Sequence, residues 1–162
     1  MQCAGFPAAS SIIPALMTSK LRQPADWLLL LGLLLFVAAM PMDAFCTPDS
    51  CSEWPSYALL FMGYLDLYAH PRAGYVWLAN PALLMAWWCM RTDKKAIAVV
   101  LSLTALVVAA SFLSVPEVLV DEQRPPQPVV GVALGYWLWL ASCAVTFVGA
   151  LLMRPRPATT DR

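Results

Sequence analysis

Residues 77–95 read WLANPALLMAWWCMRTDKK: an apolar run interrupted by Asn80-Pro81, closed by Trp87 and Trp88, and followed by Arg91, Lys94 and Lys95. Apolar side chains suit hydrocarbon, tryptophan rings suit the membrane boundary, and basic residues collect on the cytoplasmic side. Read this way the stretch is the inward half of a membrane span, and it decides the fold.

The rest of the chain agrees. Of its 162 residues 60% are hydrophobic and only 12% charged, whereas a soluble domain carries roughly a quarter charged residues. The net charge is zero and the basic residues fall in short membrane-flanking clusters, which excludes a nucleic-acid partner. Stretches 27–42, 96–116 and 125–153 contain no charge, and 73–90 has Asn80 as its one strongly polar side chain. A span needs about 20 residues. The expectation is an all-α membrane protein with four transmembrane helices, at about 27–45, 73–90, 96–113 and 131–153. In lipid such segments must be helical, because unpaired backbone groups are costly there. Residues 1–25 form a cytoplasmic N-terminal segment, 26–153 the transmembrane domain and 154–162 a cytoplasmic tail.

Lys20 and Arg22 precede span 1, Arg91, Lys94 and Lys95 lie between spans 2 and 3, and Arg154, Arg156 and Arg162 follow span 4. With both termini cytoplasmic, only Arg72 and Arg124 are outside, which satisfies the positive-inside rule. The apolar pattern starts normally from Met17, preceded by a stretch with Pro7 and Pro14 that suits neither a span nor a signal peptide. Met17 is the expected initiator, and a cytoplasmic tail from Met1 the alternative. No small-x-small cleavage site or lipobox precedes Cys46, so span 1 is read as an uncleaved anchor.

The first outer loop contains CTPDSC, residues 46–51. Pro, Asp and Ser form turns, and two close cysteines on the oxidising side of a bacterial membrane are expected to join as a disulfide that staples the loop. A reduced dithiol and a catalytic dithiol remain open, although the spacing is not the C-x-x-C of redox enzymes. Cys89 and Cys143 lie within spans and read as small apolar residues.

One helix over residues 55–90 would be about 54 Å long, more than a bilayer accepts, so it must break, and residues 70–74, HPRAG, are the place. Before the break Tyr57, Leu60, Phe61, Tyr64, Leu65 and Tyr68 recur at helical spacing, with Gly63 and Asp66 off the row. That pattern predicts a short amphipathic helix over 56–68 at the outer interface, with a re-entrant half-helix as the alternative. His70 is the only histidine; it reads as an interface residue, since a metal would need Asp66 or reduced cysteines as co-ligands. Glu117, Asp121 and Glu122 make the second outer loop acidic, a solvated surface that only loosely resembles a cation site. No metal centre, cofactor or catalytic residue is predicted.

Within span 2, Pro81 removes a backbone donor and opposes the carbonyl of Trp77, so the helix should kink or restart there. Asn80 can cap the restarted turn, bond the freed carbonyl, or cross to another span. Trp77, Asn80 and Pro81 are therefore read as a structural joint, with ligand contact beside an unwound turn as the alternative. Small residues mark the packing faces of the last two spans: Ala98, Ser102, Ala105 and Ala109, then Gly131, Gly135, Ser142, Thr146 and Gly149. They predict an antiparallel pair. The Leu-rich span 1 is expected to face lipid, and Trp87 and Trp88 an interfacial belt.

Trp77, Ala79, Asn80 and Pro81, the acidic pair Asp121 and Glu122, and Gly135, Tyr136, Leu138, Trp139, Leu140 and Ser142 resemble, over roughly residues 27–153, a bacterial family of small uncharacterised four-span membrane proteins. That family has a W-x-A-N-P element in span 2 and a G-Y-x-L-W-L-x-S element in span 4. The resemblance implies an architecture and no activity. The start before Met17 and the RPPQP segment depart from it.

Ion-coupled transport is disfavoured because the centres of the spans lack ionisable groups. No Ser/His/Asp set, phosphate loop or zinc spacing is present. The sequence supports a non-enzymatic accessory or interaction protein of the bacterial inner membrane, embedded in the lipid bilayer, with an unidentified membrane or periplasmic protein partner and room for oligomerisation. A membrane thiol–disulfide oxidoreductase using Cys46 and Cys51 is one alternative, and a transporter or channel subunit another.

Overall fold

The computed structural model describes residues 24–48, 51, 55–69, 71–118 and 127–154. His70, Asp121, Glu122, the segment around Met17 and the tail beyond Arg154 lie outside these described residues.

Helix α1 (Pro24–Ala39) starts on a proline with Asp26 in its first turn, a favourable start because the proline lacks only an N–H that would be unpaired anyway and the carboxylate meets the positive end of the helix dipole. It stops at Ala39, short of the expected Phe45, because Pro41 cannot continue the helical ladder. Beyond it come β1 (Phe45–Cys46) and α2 (Ser56–Ala69). The chain then turns back through α3 (Pro71–Gly74), a 3-10 turn (Tyr75–Leu78) and α4 (Ala79–Arg91). A tight turn with Asp93 at φ 58° leads into α5 (Lys95–Ser111) and its 3-10 extension Phe112–Ser114. Val115, held extended by the following Pro116, ends that element. Strands β2 (Glu117–Val118), β3 (Gln127–Pro128) and β4 (Gly131–Val132) precede α6 (Leu134–Leu152).

The fold is thus mostly helical. Among the described residues two helical stretches, Lys95–Ser114 and Leu134–Leu152, are long and apolar enough to cross a membrane. Only 22% and 39% of their apolar windows are buried, the reverse of the core helix of a soluble protein. The sequence suggested four full-length spans, and two stretches differ from that picture. The first, Pro24–Ala39, has 16 residues, and the second is divided where the 3-10 turn gives way to the 13 residues of Ala79–Arg91.

Helices α1, α4, α5 and α6 alternate in direction, the start of one lying beside the end of the next. At one end α1, α4, α5 and α6 bring together Ala25, Leu29, Cys89, Met90, Ala98, Ala150 and Met153. Lys95 Nζ donates to the carbonyl of Met153 at 2.7 Å, tying the start of α5 to the end of α6. We call this the basic end, for Arg91, Lys94, Lys95 and Arg154. A middle cluster contains Phe36, Leu83, Ala105, Ala109 and Cys143. Helix α6 packs most extensively on α1, and α5 lies against both α4 and α6. Helices α1 and α4 meet through the edge-to-face rings of Phe36 and Trp87, 5.4 Å apart.

The opposite end carries a small cap absent from the all-α expectation. Strands β1 and β4 pair antiparallel with Phe45 opposite Val132, and β2 pairs with β3 with Glu117 opposite Pro128. Asp43 bridges Pro55. Once Pro41 ends the helix, the backbone groups that follow need partners. Val130, Ala133 and Gly135 donate to the carbonyls of Cys46, Ala44 and Asp43 at 2.9–3.0 Å, and on the other side Ser56 and Tyr57 donate to Met42 and Met40 at 2.9 and 3.1 Å. Residues 40–46 therefore lie between two neighbouring segments.

Gly131 and Gly135, expected to act together as a helix-packing pair, do different things. Gly131 is exposed in β4, and a Cβ there would meet nothing within 4 Å. Gly135 is buried in the first turn of α6, where a Cβ would lie 2.6 Å from the Asp43 carbonyl and 2.8 Å from that of Met42. Only glycine lets the cap backbone approach so closely.

Candidate functional site

The polar groups that the sequence singled out fall in two places, a joint between α4 and α6 and the cap above it. At the joint, Ala79 begins α4 and Pro81 sits in its first turn, where a missing N–H costs little. The N–H of Ala79 is directed at the carbonyls of Val76, in the 3-10 manner, and of Trp77, the second being the carbonyl that Pro81 leaves without its usual donor. Asn80 is not the N-cap of the helix, a position taken by Leu78, but its second residue. Its Oδ1 instead accepts a hydrogen bond from Trp139 Nε1 of α6 at 3.0 Å, and Asn80 is only 8% exposed. Of the roles open to this amide, the one in the structure is the crossing to another helix.

Trp77 reaches the other way. Its Nε1 donates to the Leu60 carbonyl at 2.8 Å, and its ring lies over Gly63 and edge-on to Tyr64 at 6.2 Å. Trp77 thus fastens α2 to the 3-10 turn, one turn before Asn80 fastens α4 to α6.

Two further cross-links were not read from the sequence. Trp87 Nε1 donates to Thr146 Oγ1 at 2.8 Å, and that hydroxyl donates to the Ser142 carbonyl at 2.8 Å. Gly32 makes room beside them, since a Cβ there would lie 2.8 Å from Thr146 Oγ1. Tyr136 Oη donates to the Ala109 carbonyl of α5 at 3.1 Å. The signal available was angular. Residues two apart on a helix lie on nearly opposite faces, so Trp137 and Trp139 cannot both face outward; adjacent residues such as Trp87 and Trp88 can, and only the packing separates them. Trp88 and Trp137 are exposed, at 65% and 49%, while Trp87 and Trp139 turn inward to their bonds. Because α6 begins at Leu134, Trp137 falls in its first turn, at the cap end.

In the cap, the sulfurs of Cys46 and Cys51 lie within bonding distance, with Cα atoms 4.1 Å apart. Cys46 belongs to β1 and Cys51 is exposed. Glu117 is exposed in β2, and its acidic neighbours Asp121 and Glu122 fall outside the described residues. Cys89 and Cys143 are free, buried and in different clusters. Among the described residues no group of three or more His, Cys, Asp or Glu is placed to hold a metal ion.

In comparisons with known proteins, no family model, curated protein or solved structure matches this chain.

The geometry therefore consists of cross-helix bonds. Indole, amide, phenol and hydroxyl groups that hydrocarbon would leave unpaired are used against one another between helices, and each such bond contributes about 0.6–2 kcal/mol in a membrane bundle.

Proposed function

We propose that this chain is a four-pass protein of a bacterial inner membrane, with both termini cytoplasmic, that acts as a non-enzymatic accessory or interaction protein through its stapled outer cap. The observation that carries the reading is the apolar jacket of the bundle. Leu30, Leu34 and Val37 on α1, Leu84 and Met85 on α4, Val100, Leu103 and Val107 on α5, and Val148 and Leu151 on α6 are all exposed. Exposed Trp27 and Trp88 stand near the basic end and Trp137 near the cap end, matching the aromatic belts of a membrane protein. Soluble monomers do not carry apolar surface on this scale. The helical path from Pro71 to Arg91 is about 30 Å long, enough to span despite its 3-10 turn. Helix α1 at about 24 Å is completed by the turn that follows Ala39.

Helix α2 belongs to the same reading as an interfacial element. Tyr57, Phe61, Tyr64 and Leu65 are exposed along one face, while Gly63 on another face meets Trp77. The family resemblance in spans 2 and 4 belongs here too: the joint it marks includes Asn80 and Trp139, which are bonded to each other. The absence of ionisable groups along the span centres argues against ion-coupled transport.

Fluorescent reporters that work only in the cytoplasm, fused after Lys95 and after Arg162, should be active. A phosphatase active only outside should work when fused near Ser56 and near residue 126. A reversed pattern at either outer fusion overturns the topology. A photo-crosslinker at Val130, exposed on the cap, should give a discrete protein adduct in living cells, whereas one at Leu34 should give lipid adducts alone. If cap positions also give only lipid adducts, the interaction role is wrong. The exposure of Cys51 keeps thiol–disulfide exchange as a second reading, and a trapped mixed disulfide with a periplasmic protein in a Cys46→Ala variant would bring it to the front.

A further inference from the structure

The basic end presents a face that topology alone does not account for. Leu84, Trp88 and Arg91 share one side of α4 at spacings of four and three, and Leu84 and Trp88 are 50% and 65% exposed. The face continues into the turn, where Lys94 is exposed. That turn is well fixed. Thr92 N and Lys94 N donate to the carbonyls of Trp88 and Cys89 at 3.0 and 2.9 Å, and Thr92 Oγ1 also donates to Trp88 O at 3.0 Å. Asp93 takes the left-handed conformation that closes it. Lys95 is already committed to the Met153 carbonyl. Among the described residues the side chains of Arg91 and Lys94 make no hydrogen bond or ion pair, so both charges are held on a fixed turn and open to solvent.

We infer that the Trp88–Lys94 turn is a binding site for an anionic phospholipid of the inner leaflet, with the phosphate held by Arg91 and Lys94 and an acyl chain lying along Trp88 and Leu84. Neither half of the face suits a soluble ligand. An inorganic or nucleotide phosphate would leave the apolar strip bare, and an apolar molecule would leave both cations unanswered. A phospholipid answers both, and the tryptophan ring sits at the depth where head group meets chain. The guanidinium accepts a phosphate in a two-pronged geometry, and the lysine adds a point charge. Each cation contributes about five-fold in affinity for an anionic surface, so the pair should give roughly 25-fold at low salt, weakening as salt screens the charges.

The inference rests on the membrane reading above, but its test does not depend on orientation. The purified full chain in a neutral detergent is titrated with phosphatidylglycerol or phosphatidylcholine of identical acyl chains, and bound lipid is counted by native mass spectrometry. Phosphatidylglycerol should be retained at least ten-fold better than phosphatidylcholine. An R91Q/K94Q variant should bind the two alike while keeping its thermal midpoint, since neither side chain takes part in an internal bond. Trp88→Ala should weaken both lipids together, because it removes tail contact and leaves the charges. Equal retention of the two lipids by the wild type overturns the inference, as does a phosphatidylglycerol preference that survives in R91Q/K94Q. Displacement of bound phosphatidylglycerol by an equal concentration of inorganic phosphate would also overturn it, assigning the turn to a soluble anion. A reversed reporter pattern would refute the topology and leave this measurement standing.

Discussion

Asn80→Leu tests the joint most directly. The structure has one bond at stake, Trp139 Nε1 to Asn80 Oδ1 at 3.0 Å, between two helices and around a side chain 8% exposed. Leucine has the same number of side-chain heavy atoms as asparagine but is bulkier, so some repacking adds to the main effect, which is that the indole N–H is left without its acceptor. A cross-helix bond of this kind contributes about 0.6–2 kcal/mol, and an unsatisfied buried donor costs about 1–3 kcal/mol, so Asn80→Leu should destabilise by roughly 1–2 kcal/mol. Asn80→Ser separates two roles for the residue. A serine oxygen is well placed to cap the turn it sits on but too short to reach across to α6. If the role is the crossing, serine should be about as poor as leucine. Trp139→Phe removes the donor, so in the Asn80→Leu background it should cost clearly less than in the wild type. Unfolding free energies of the four proteins of this cycle, measured in mixed micelles of mild and denaturing detergent, give the coupling. Additive effects, or full rescue by serine, would refute the assignment. Unchanged stability with function lost in cells would instead reassign the amide to a ligand.

The two glycines near the start of α6 should respond differently. Gly135→Ala drives a Cβ to 2.6 Å from the Asp43 carbonyl and 2.7 Å from Ser56 Oγ, and the same unfolding assay should register a loss of roughly 1–3 kcal/mol or more, the usual cost of overpacking. Gly131→Ala meets nothing within 4 Å and should stay within about 0.5 kcal/mol of wild type. Thr146→Val keeps shape but strands Trp87 Nε1, now bonded at 2.8 Å; a loss of about 1–3 kcal/mol is expected, and a neutral result would remove this bond from the account. Maleimide should label Cys46 and Cys51 in denatured protein only after reduction, and free labelling beforehand would contradict the staple.

Much of the architecture was legible before any tertiary contact was known. Charge-free stretches, basic clusters and the break near residue 71 depend only on what hydrocarbon and backbone chemistry tolerate, and those costs are local. Period was legible as well. Ala98, Ser102, Ala105 and Ala109 are all buried, as a stripe of small residues on one helix face suggests, and Leu30, Leu31, Leu33 and Leu34 are exposed. What a stripe does not name is its partner. The small residues of α6 admit α1 as well as α5: Gly32 of α1 meets Thr146, and Gly149 lies under Leu28. That choice depends on how all four helices fill space at once. The ends of elements were also decided at a distance. Residues 131–132 and 45–46 carry apolar sequence that extends either neighbouring helix on paper, yet each becomes a strand because the other is there to pair with it. The polar joints divide in the same way. That a buried amide such as Asn80 must find a partner follows from its own chemistry; that the partner is Trp139, 59 residues away, follows only from the packing of α4 against α6.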